Sequence, residues 1–243
     1  GKSFISMIIG FGCNVPGVMS TRTLENKKDR MISILINPFM SCGARIPIYL
    51  VFISAFFPDS GGLVLFSLYF LGILVALIMA KIFSKTLFKG ESSYFIMELP
   101  PYRMPTIRNV LRNMWDNVSE FLVRAGTVIF FVVSILWVLA MLPVGVEAYS
   151  QESILGKIGT LIAPIFVPAG YGTWQAAVGL FSGIAAKEAV VAILGMVYAG
   201  VEEGSALVNA IQSAFTPLSA VSFMVMTLLY TPCAATLGAI KKE

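Results

Sequence analysis

Long apolar stretches separated by short polar ones dominate this chain. Residues 31–57 form one such stretch, interrupted by Pro38 and Pro47 and closed by the turn Phe57-Pro58-Asp59-Ser60-Gly61-Gly62. Residues 61–81 run without a break to Lys81, and residues 118–142 run to Leu142-Pro143. Residues 173–198 and 218–240 are two more, while the first twenty residues are apolar but broken around Gly10-Phe11-Gly12-Cys13-Asn14-Val15-Pro16-Gly17. Each is close to the length, about 20 residues, that a helix needs to cross a bilayer. The pattern predicts an all-α polytopic membrane protein, a helical bundle whose helices are broken at several defined places.

The polar connections supply an orientation, because basic residues accumulate on the cytoplasmic side. Residues 21–31 carry Arg22, Lys27, Lys28 and Arg30; residues 81–117 carry Lys81, Lys85, Lys89, Arg103, Arg108 and Arg112 against Glu91, Glu98 and Asp116. Both connections are expected inside. The turn at Asp59, the stretch 143–172 and the stretch 199–217 lack a basic excess and are expected outside. Residues 173–198 then have both ends outside, which a simple span cannot satisfy. A re-entrant hairpin with its tip at Gly183-Ile184-Ala185-Ala186-Lys187-Glu188 resolves the conflict, and the last segment runs inward to Lys241-Lys242.

At the other end, residues 1–20 read as the second half of a hairpin opening inside, followed by an outward helix broken at prolines. Two such units of opposite topology are the mark of inverted-repeat transporters, with the site at the repeat interface. Likeness between the units is faint: Cys42-Gly43-Ala44 against Cys233-Ala234-Ala235. Residues 100–118 are amphipathic, with Arg108 and Arg112 on one side and Ile107, Val110, Leu111, Met114 and Trp115 supplying apolar area. They read as an interfacial helix on the inner leaflet.

Composition narrows the chemistry. Of 243 residues, 57% are hydrophobic and 12% charged, about half the charge of an ordinary soluble domain at ~25%, and the mean hydropathy is +0.85. There is no histidine, which removes the commonest metal ligand and general base. Three widely spaced cysteines, Cys13, Cys42 and Cys233, make no CxxC and a poor disulfide framework. The chain begins Gly1-Lys2-Ser3 without an initiator Met or a signal-peptide pattern, so a longer parent is expected.

Each cysteine instead sits by a proline. A proline inside a helix leaves the carbonyl four residues earlier without its donor, so Pro16, Pro47 and Pro232 are expected to free the carbonyls of Gly12, Gly43 and Leu228. Broken backbone in lipid is tolerated where it is buried in protein or lines a polar cavity. A helix starting at Pro16, capped by Cys13 or Asn14, would aim N–H groups at the sulfur and favour thiolate. Thiolate suits iron, zinc or copper(I) better than magnesium or calcium, and chemistry alone does not choose among those three. Against this stands the plain reading of a cysteine as a small buried residue and of proline as common in membrane helices. Glu188 joins the cysteines as a candidate, with the backbone of Gly12 and Gly43; Lys187-Glu188 is an intramembrane charge pair of the kind that marks function. Arg45 is expected to anchor Glu188 or a helix C-terminus, and Glu120 with Arg124 reads as an interfacial i,i+4 ion pair.

The segments Gly10–Gly17 with Thr21-Arg22-Thr23, and Pro38-Phe39-Met40-Ser41-Cys42-Gly43-Ala44-Arg45-Ile46-Pro47, resemble the first gate region of the ferrous iron transport protein B (FeoB) family. Tyr230-Thr231-Pro232-Cys233-Ala234-Ala235-Thr236 resembles its second gate, and Gly183–Glu188 also fits its pattern. The resemblance covers nearly the whole chain. It implies uptake of Fe²⁺, as transported substrate, across the prokaryotic cytoplasmic (inner) membrane along a path lined by Cys13, Cys42 and Cys233. It implies a cytosolic N-terminal GTPase domain, which would carry GTP and Mg²⁺, and a small FeoA-like cytosolic partner. Membrane lipid is a further partner, a homo-oligomer is compatible with it, and no nucleic acid is implied.

The chain accordingly divides into a first gate repeat at 1–60, connecting transmembrane helices at 61–172 with a cytoplasmic amphipathic segment at about 82–117, and a second gate repeat at 173–243. No GTPase lies in this stretch: Gly1-Lys2-Ser3 looks like a P-loop end, but no Gly-rich loop precedes it and an apolar helix follows. The chain is therefore expected to be a transporter core and not an enzyme. The other readings are a nucleoside-carrier-like transporter of an organic substrate, a transporter of another divalent metal, a membrane thiol or metal enzyme, and a structural anchor. The enzyme lacks a CxxC, a histidine and an acid/base pair; the anchor leaves the repeated breaks unexplained.

Overall fold

A computed structural model describes residues 2–87, 106–141, 150–200 and 205–243. Among these there are helices and turns and no strand. Helices α1 (Lys2–Gly12) and α2 (Asn14–Ser20) meet at Cys13. They fold back on one another, because the Ser6 hydroxyl donates to the Gly17 carbonyl at 2.6 Å, whereas eleven residues of straight helix span about 16 Å. Asn37 clamps the fold: its amide donates to the Ser6 carbonyl and hydroxyl at 3.3 and 3.1 Å. A Cβ at Gly10 or Gly17 would lie 2.5 or 2.7 Å from that amide. Residues 2–20 thus contain both arms of a hairpin and not only its second half.

Next comes a broken helix. α3 (Lys27–Ile36) is capped by Asn26, whose side chain accepts from the Lys28 N–H. The chain then passes through 3₁₀ turns at Asn37–Phe39 and Gly43–Arg45, with Met40 and Cys42 extended between them, into α4 (Ile46–Phe56). Pro38 and Pro47 occupy first-turn positions, where no N–H is required. α5 (Gly61–Thr86) is unbroken over 26 residues. α6 (Ile107–Met141) runs 35 residues, about 52 Å at 1.5 Å per residue. The expected interfacial helix is therefore no separate element in its described part, since 107–118 are the opening turns of α6; residues 100–105 lie outside the described residues. Nothing between Ile107 and Arg124 breaks a helix, and the ladder simply continues.

The stretch 143–172, expected to be an outer connection, contains another helix where it is described. α7 (Ile154–Phe166) is capped by Ser153, and it turns by 103° into α8 (Trp174–Ala185). Gly170, at φ +86°, makes the corner. α8 then reverses at Ala186–Glu188 into α9 (Ala189–Ala199). Gly183 faces Val190 and Gly179 faces Leu194, so the two helices run antiparallel. At 12 and 11 residues each is too short for a hydrocarbon core of about 30 Å, the shape a re-entrant hairpin requires. α10 (Ser205–Ala214), α11 (Pro217–Leu229) and α12 (Ala234–Lys242) come next, with Tyr230–Cys233 non-helical between the last two.

Four helices or helix pairs are long and apolar enough to cross a membrane: Lys27–Phe56, Gly61–Thr86, Ile107–Met141 and Pro217–Lys242, with the bent α7–α8 pair as a fifth. Two of these are the broken helices α3–α4 and α11–α12. Each follows a hairpin, α1–α2 directly and α8–α9 with α10 between, giving two hairpin-and-broken-helix units. The units embrace: α2 packs on α12 of the other unit, and α9 packs on α4.

The two ends of the bundle differ in chemistry. One core joins Phe52, Tyr171, Phe215 and Phe223, whose rings lie 4.9–6.4 Å apart. Beside it, Gln212 donates to the Ala55 carbonyl at 2.5 Å. At the opposite end the C-termini of α2 and α12 meet α6 through ion pairs. Arg22 reaches Glu243 at 2.5 Å and Glu120 at 3.2 Å, Arg30 reaches Glu243 at 2.9 Å, and Lys242 reaches Glu120 at 3.5 Å. Two basic stretches assigned to the inside thus come together. Glu120 has partners in Arg22 and Lys242, while the side chain of Arg124, its expected partner, lies outside the described residues.

Candidate functional site: a thiol-lined cavity between the two units

Each of the breaks presents one side chain at the start of the next helix. Cys13 is the N-cap of α2, Cys42 of the turn before α4, Cys233 of α12, and Glu188 of α9. None closes a cap hydrogen bond with its own side chain. The faint likeness between Cys42-Gly43-Ala44 and Cys233-Ala234-Ala235 is thus a likeness of place: both cysteines cap the first helical turn after a break.

These four residues line one cavity of about 200 Å³, together with Gly12, Lys187 and Thr236. At about 30 Å³ per water, that is room for an ion and a few waters. Cys42 is buried, and Cys13 and Cys233 are half-buried; all three are free thiols. The Cys233 sulfur lies 3.2 Å from the Thr236 hydroxyl. α6 contributes Phe121 and Ile129 to the wall. Among the described residues no three His, Cys, Asp or Glu side chains stand close enough to hold a metal ion together. The sulfurs share a space without forming a ready-made tetrahedral site.

The backbone candidates fare differently. Gly12 lines the cavity, and its carbonyl would lie 3.4 Å from a Cβ placed on Gly43, so the two glycines allow the hairpin tip to approach the broken helix. The Gly43 carbonyl is not free as expected: it accepts the Ile46 N–H, because the chain tightens into a 3₁₀ turn before Pro47 and supplies a donor three residues on. Among the described residues no ion pair joins Arg45 to Glu188. The arginine is fully buried and donates to the carbonyls of Met40 at 2.9 Å and Pro38 at 3.2 Å, the end of the preceding turn.

Sequence reading missed how completely Lys187 is enclosed, at 1% exposure. Its Nζ has no hydrogen-bond partner among the described residues and lies 4.6 Å from the centre of the Tyr230 ring. Gly183, one helical turn earlier, makes room for Tyr230, whose hydroxyl a Cβ there would strike. The part of Thr236 was legible in principle, since i,i+3 from Cys233 puts it on the same helix face.

Paired hairpins and broken helices around a thiol-lined cavity, inside an apolar bundle, define a polytopic membrane protein of the transporter kind. The profile described as ferrous iron transport protein B C terminus matches residues 65–117, and the gate profile, described as nucleoside recognition, matches residues 1–56 and 122–243. The chain belongs to the ferrous iron transport protein B family. Similar curated proteins are the Fe(2+) transporter FeoB of Staphylococcus aureus (strain COL), 45% identical over the whole chain, and that of Methanocaldococcus jannaschii, 46% identical over the whole chain. A Porphyromonas gingivalis relative, 40% identical over the whole chain, is named as a fusion of Fe(2+) transport protein A with Fe(2+) transporter FeoB. The chain spans 36%, 37% and 34% of these relatives' lengths, respectively. No solved structure matches it.

Proposed function

We propose that this chain is the translocation core for Fe²⁺ uptake across the cytoplasmic membrane of a prokaryote, and that the cavity is a way-station on the ion's path. One observation carries the reading: cysteines 220 positions apart in sequence, Cys13 and Cys233, line a single cavity with Cys42 and Glu188. Thiol sulfur binds Fe²⁺ in preference to the hard, abundant Mg²⁺ and Ca²⁺. The absence of a preformed three-ligand group among the described residues fits passage better than storage, since an ion bound too tightly does not leave. Cys13, Cys42 and Cys233 are assigned as transient ligands, with Glu188 and the Gly12 carbonyl as oxygen donors; Gly43 is assigned to close packing.

GTP hydrolysis is assigned to an N-terminal domain of a longer parent, with Mg²⁺ there, and an FeoA-like protein is assigned as cytosolic partner. The fused relative supports that pairing. The gate profile's description raises a nucleoside substrate, but the relatives are named for Fe²⁺, and nothing in the cavity wall beyond Asn14, Thr236 and Glu188 offers neutral or anionic hydrogen-bonding side chains for a ribose.

The test is Fe²⁺ uptake into iron-starved cells by the full-length parent, at matched membrane expression. Cys13→Ser, Cys42→Ser and Cys233→Ser should each lower uptake about tenfold or more, as the loss of a metal ligand or its support commonly does. Native uptake in the triple variant would remove the thiols from the path.

A further inference from the structure

Asn37 ties together the two cysteine-bearing breaks of the first unit. It ends α3 and opens the 3₁₀ turn that leads on to Cys42. Its side chain is fully buried and reaches across to the hairpin that carries Cys13 at its tip. The amide nitrogen donates to the Ser6 carbonyl at 3.3 Å and hydroxyl at 3.1 Å, and that hydroxyl donates onward to the Gly17 carbonyl at 2.6 Å. One side chain thus holds α1 directly and α2 through Ser6. The seat is cut for it: a Cβ on Gly10 would come within 2.5 Å of the amide oxygen, and one on Gly17 within 2.7 Å of the nitrogen. A second strap runs beside it. The Asn14 amide, with its nitrogen toward the backbone, donates to the carbonyls of Gly10 at 3.0 Å and Asn37 at 3.3 Å. Ser6, Asn14 and Asn37 are all buried. Inside an apolar bundle such groups keep their partners, because each bond left unmade costs the full desolvation of the group.

The consequence reaches the cavity. Cys13 opens α2, and the Gly12 carbonyl lies against Gly43, so the hairpin tip and the break meet at the wall that Cys13 and Cys42 share. The second unit is held differently. Among the described residues no side-chain hydrogen bond ties the hairpin α8–α9 to the break before Cys233; Tyr230 fills a notch at Gly183, and its hydroxyl has no partner. We propose that Asn37 is a positioning residue for the metal path, whose amide sets Cys13 against Cys42 so that one ion engages both sulfurs. The proposal rests on the iron-path reading of the cavity. Metal ligands are commonly oriented by hydrogen-bonded supports behind them, and losing such a support costs about 10–100-fold in affinity. Cys233 belongs to the other unit, is not held by Asn37, and keeps its own contribution.

The experiment titrates the purified full-length parent, in detergent with its thiols reduced, with Cd²⁺, a soft and redox-inert divalent ion. The readout is the thiolate-to-cadmium charge-transfer absorbance. Asn37→Leu, close in size but unable to hydrogen-bond, should weaken Cd²⁺ binding about tenfold or more. The loss should be non-additive with Cys13→Ser and with Cys42→Ser, and additive with Cys233→Ser. Native Cd²⁺ affinity in Asn37→Leu overturns the proposal. So does a loss equally additive with all three serine variants, which marks a general loosening of the bundle. Should Asn37→Leu fail to fold, Ser6→Ala decides, since it removes one of the amide's two acceptors and the strap to Gly17. It should weaken binding by a smaller factor with the same pattern of non-additivity, and native affinity or a uniformly additive loss overturns the proposal there. Cd²⁺ binding indifferent to all three cysteine-to-serine changes would overturn the iron-path reading and the role of Asn37 with it. That result is read from the serine arms without any change at Asn37.

Discussion

Among the described residues, each unit of the bundle buries one basic side chain, and the two are treated differently. Arg45, in the break of the first unit, gives hydrogen bonds to the carbonyls of Pro38 and Met40. Only its Nε is left without a partner among the described residues. Lys187, at the hairpin tip of the second unit, has an aromatic face and no hydrogen bond there. Both are essentially inaccessible, at 0% and 1%. Burial alone therefore does not tell structure from function; the partners do. Arg45 supplies donors to the irregular backbone between α3 and α4, as broken backbone in lipid must be satisfied from within the protein. Lys187 satisfies nothing, and is retained at a cost.

Stability measurements can break this comparison. Arg45→Met should be the more damaging change, because it strands two buried carbonyls. The expected loss is about 2–4 kcal/mol, two charge-assisted hydrogen bonds' worth reduced by the relief of burying a charge. Thermal unfolding of the purified full-length parent in detergent should show it as a lowered midpoint. Lys187→Met should move the other way, by about 1 kcal/mol, since removing an unpaired buried ammonium offsets the lost cation–π contact. A common direction for both variants would erase the distinction drawn between them.

That distinction could not be read from sequence. Lys187-Glu188 stood out as a charge pair at a hairpin tip, and the tip itself was legible because 173–198 had both ends on one side by charge. How deep Lys187 lies, and that Tyr230 waits 43 residues downstream, are matters of packing between α8, α9 and the second break. The breaks at Cys13, Cys42 and Cys233 were legible from prolines and glycines. Their bonding was not: a proline at the first turn of a helix frees nothing, and the Gly43 carbonyl found its donor in Ile46. The first hairpin was misjudged because Gly12-Cys13 marks a break without saying how sharply the chain turns there; Asn37, far along, sets that angle. α7 was hidden for a similar reason, its apolar run being short, flanked by Glu152 and Gly170 and interrupted by Pro164. The ion-paired end was foreshadowed best. Basic residues at 21–31 and 241–242 were assigned to one side, and Arg22, Arg30 and Lys242 do meet.

Arg22 at that end gives the comparison a third, exposed member. Its side chain is 38% exposed and bridges Glu243, itself 3% exposed, and Glu120. Hydrogen bonds donated to Glu243 and then to Glu120 hold its guanidinium pKa above the ordinary value. A base raised in the folded state contributes stability that persists below its unfolded pKa and is lost only as pH rises through the folded one. For arginine both lie above about 12, so no alkaline loss should trace to Arg22 in an ordinary titration. Salt is the better probe, since exposed pairs are screened within a Debye length of about 10 Å at 0.1 M. Arg22→Gln should cost less than about 1 kcal/mol, the range of solvent-screened pairs. Glu243 keeps Arg30 at 2.9 Å, so the buried carboxylate is not stranded, and the small cost should shrink further as salt is raised. A loss as large as that of Arg45→Met, unaffected by salt, would mean that this end of α2 and α12 is held as tightly as the broken helix, and that ion pairing, not packing, locks the two units together.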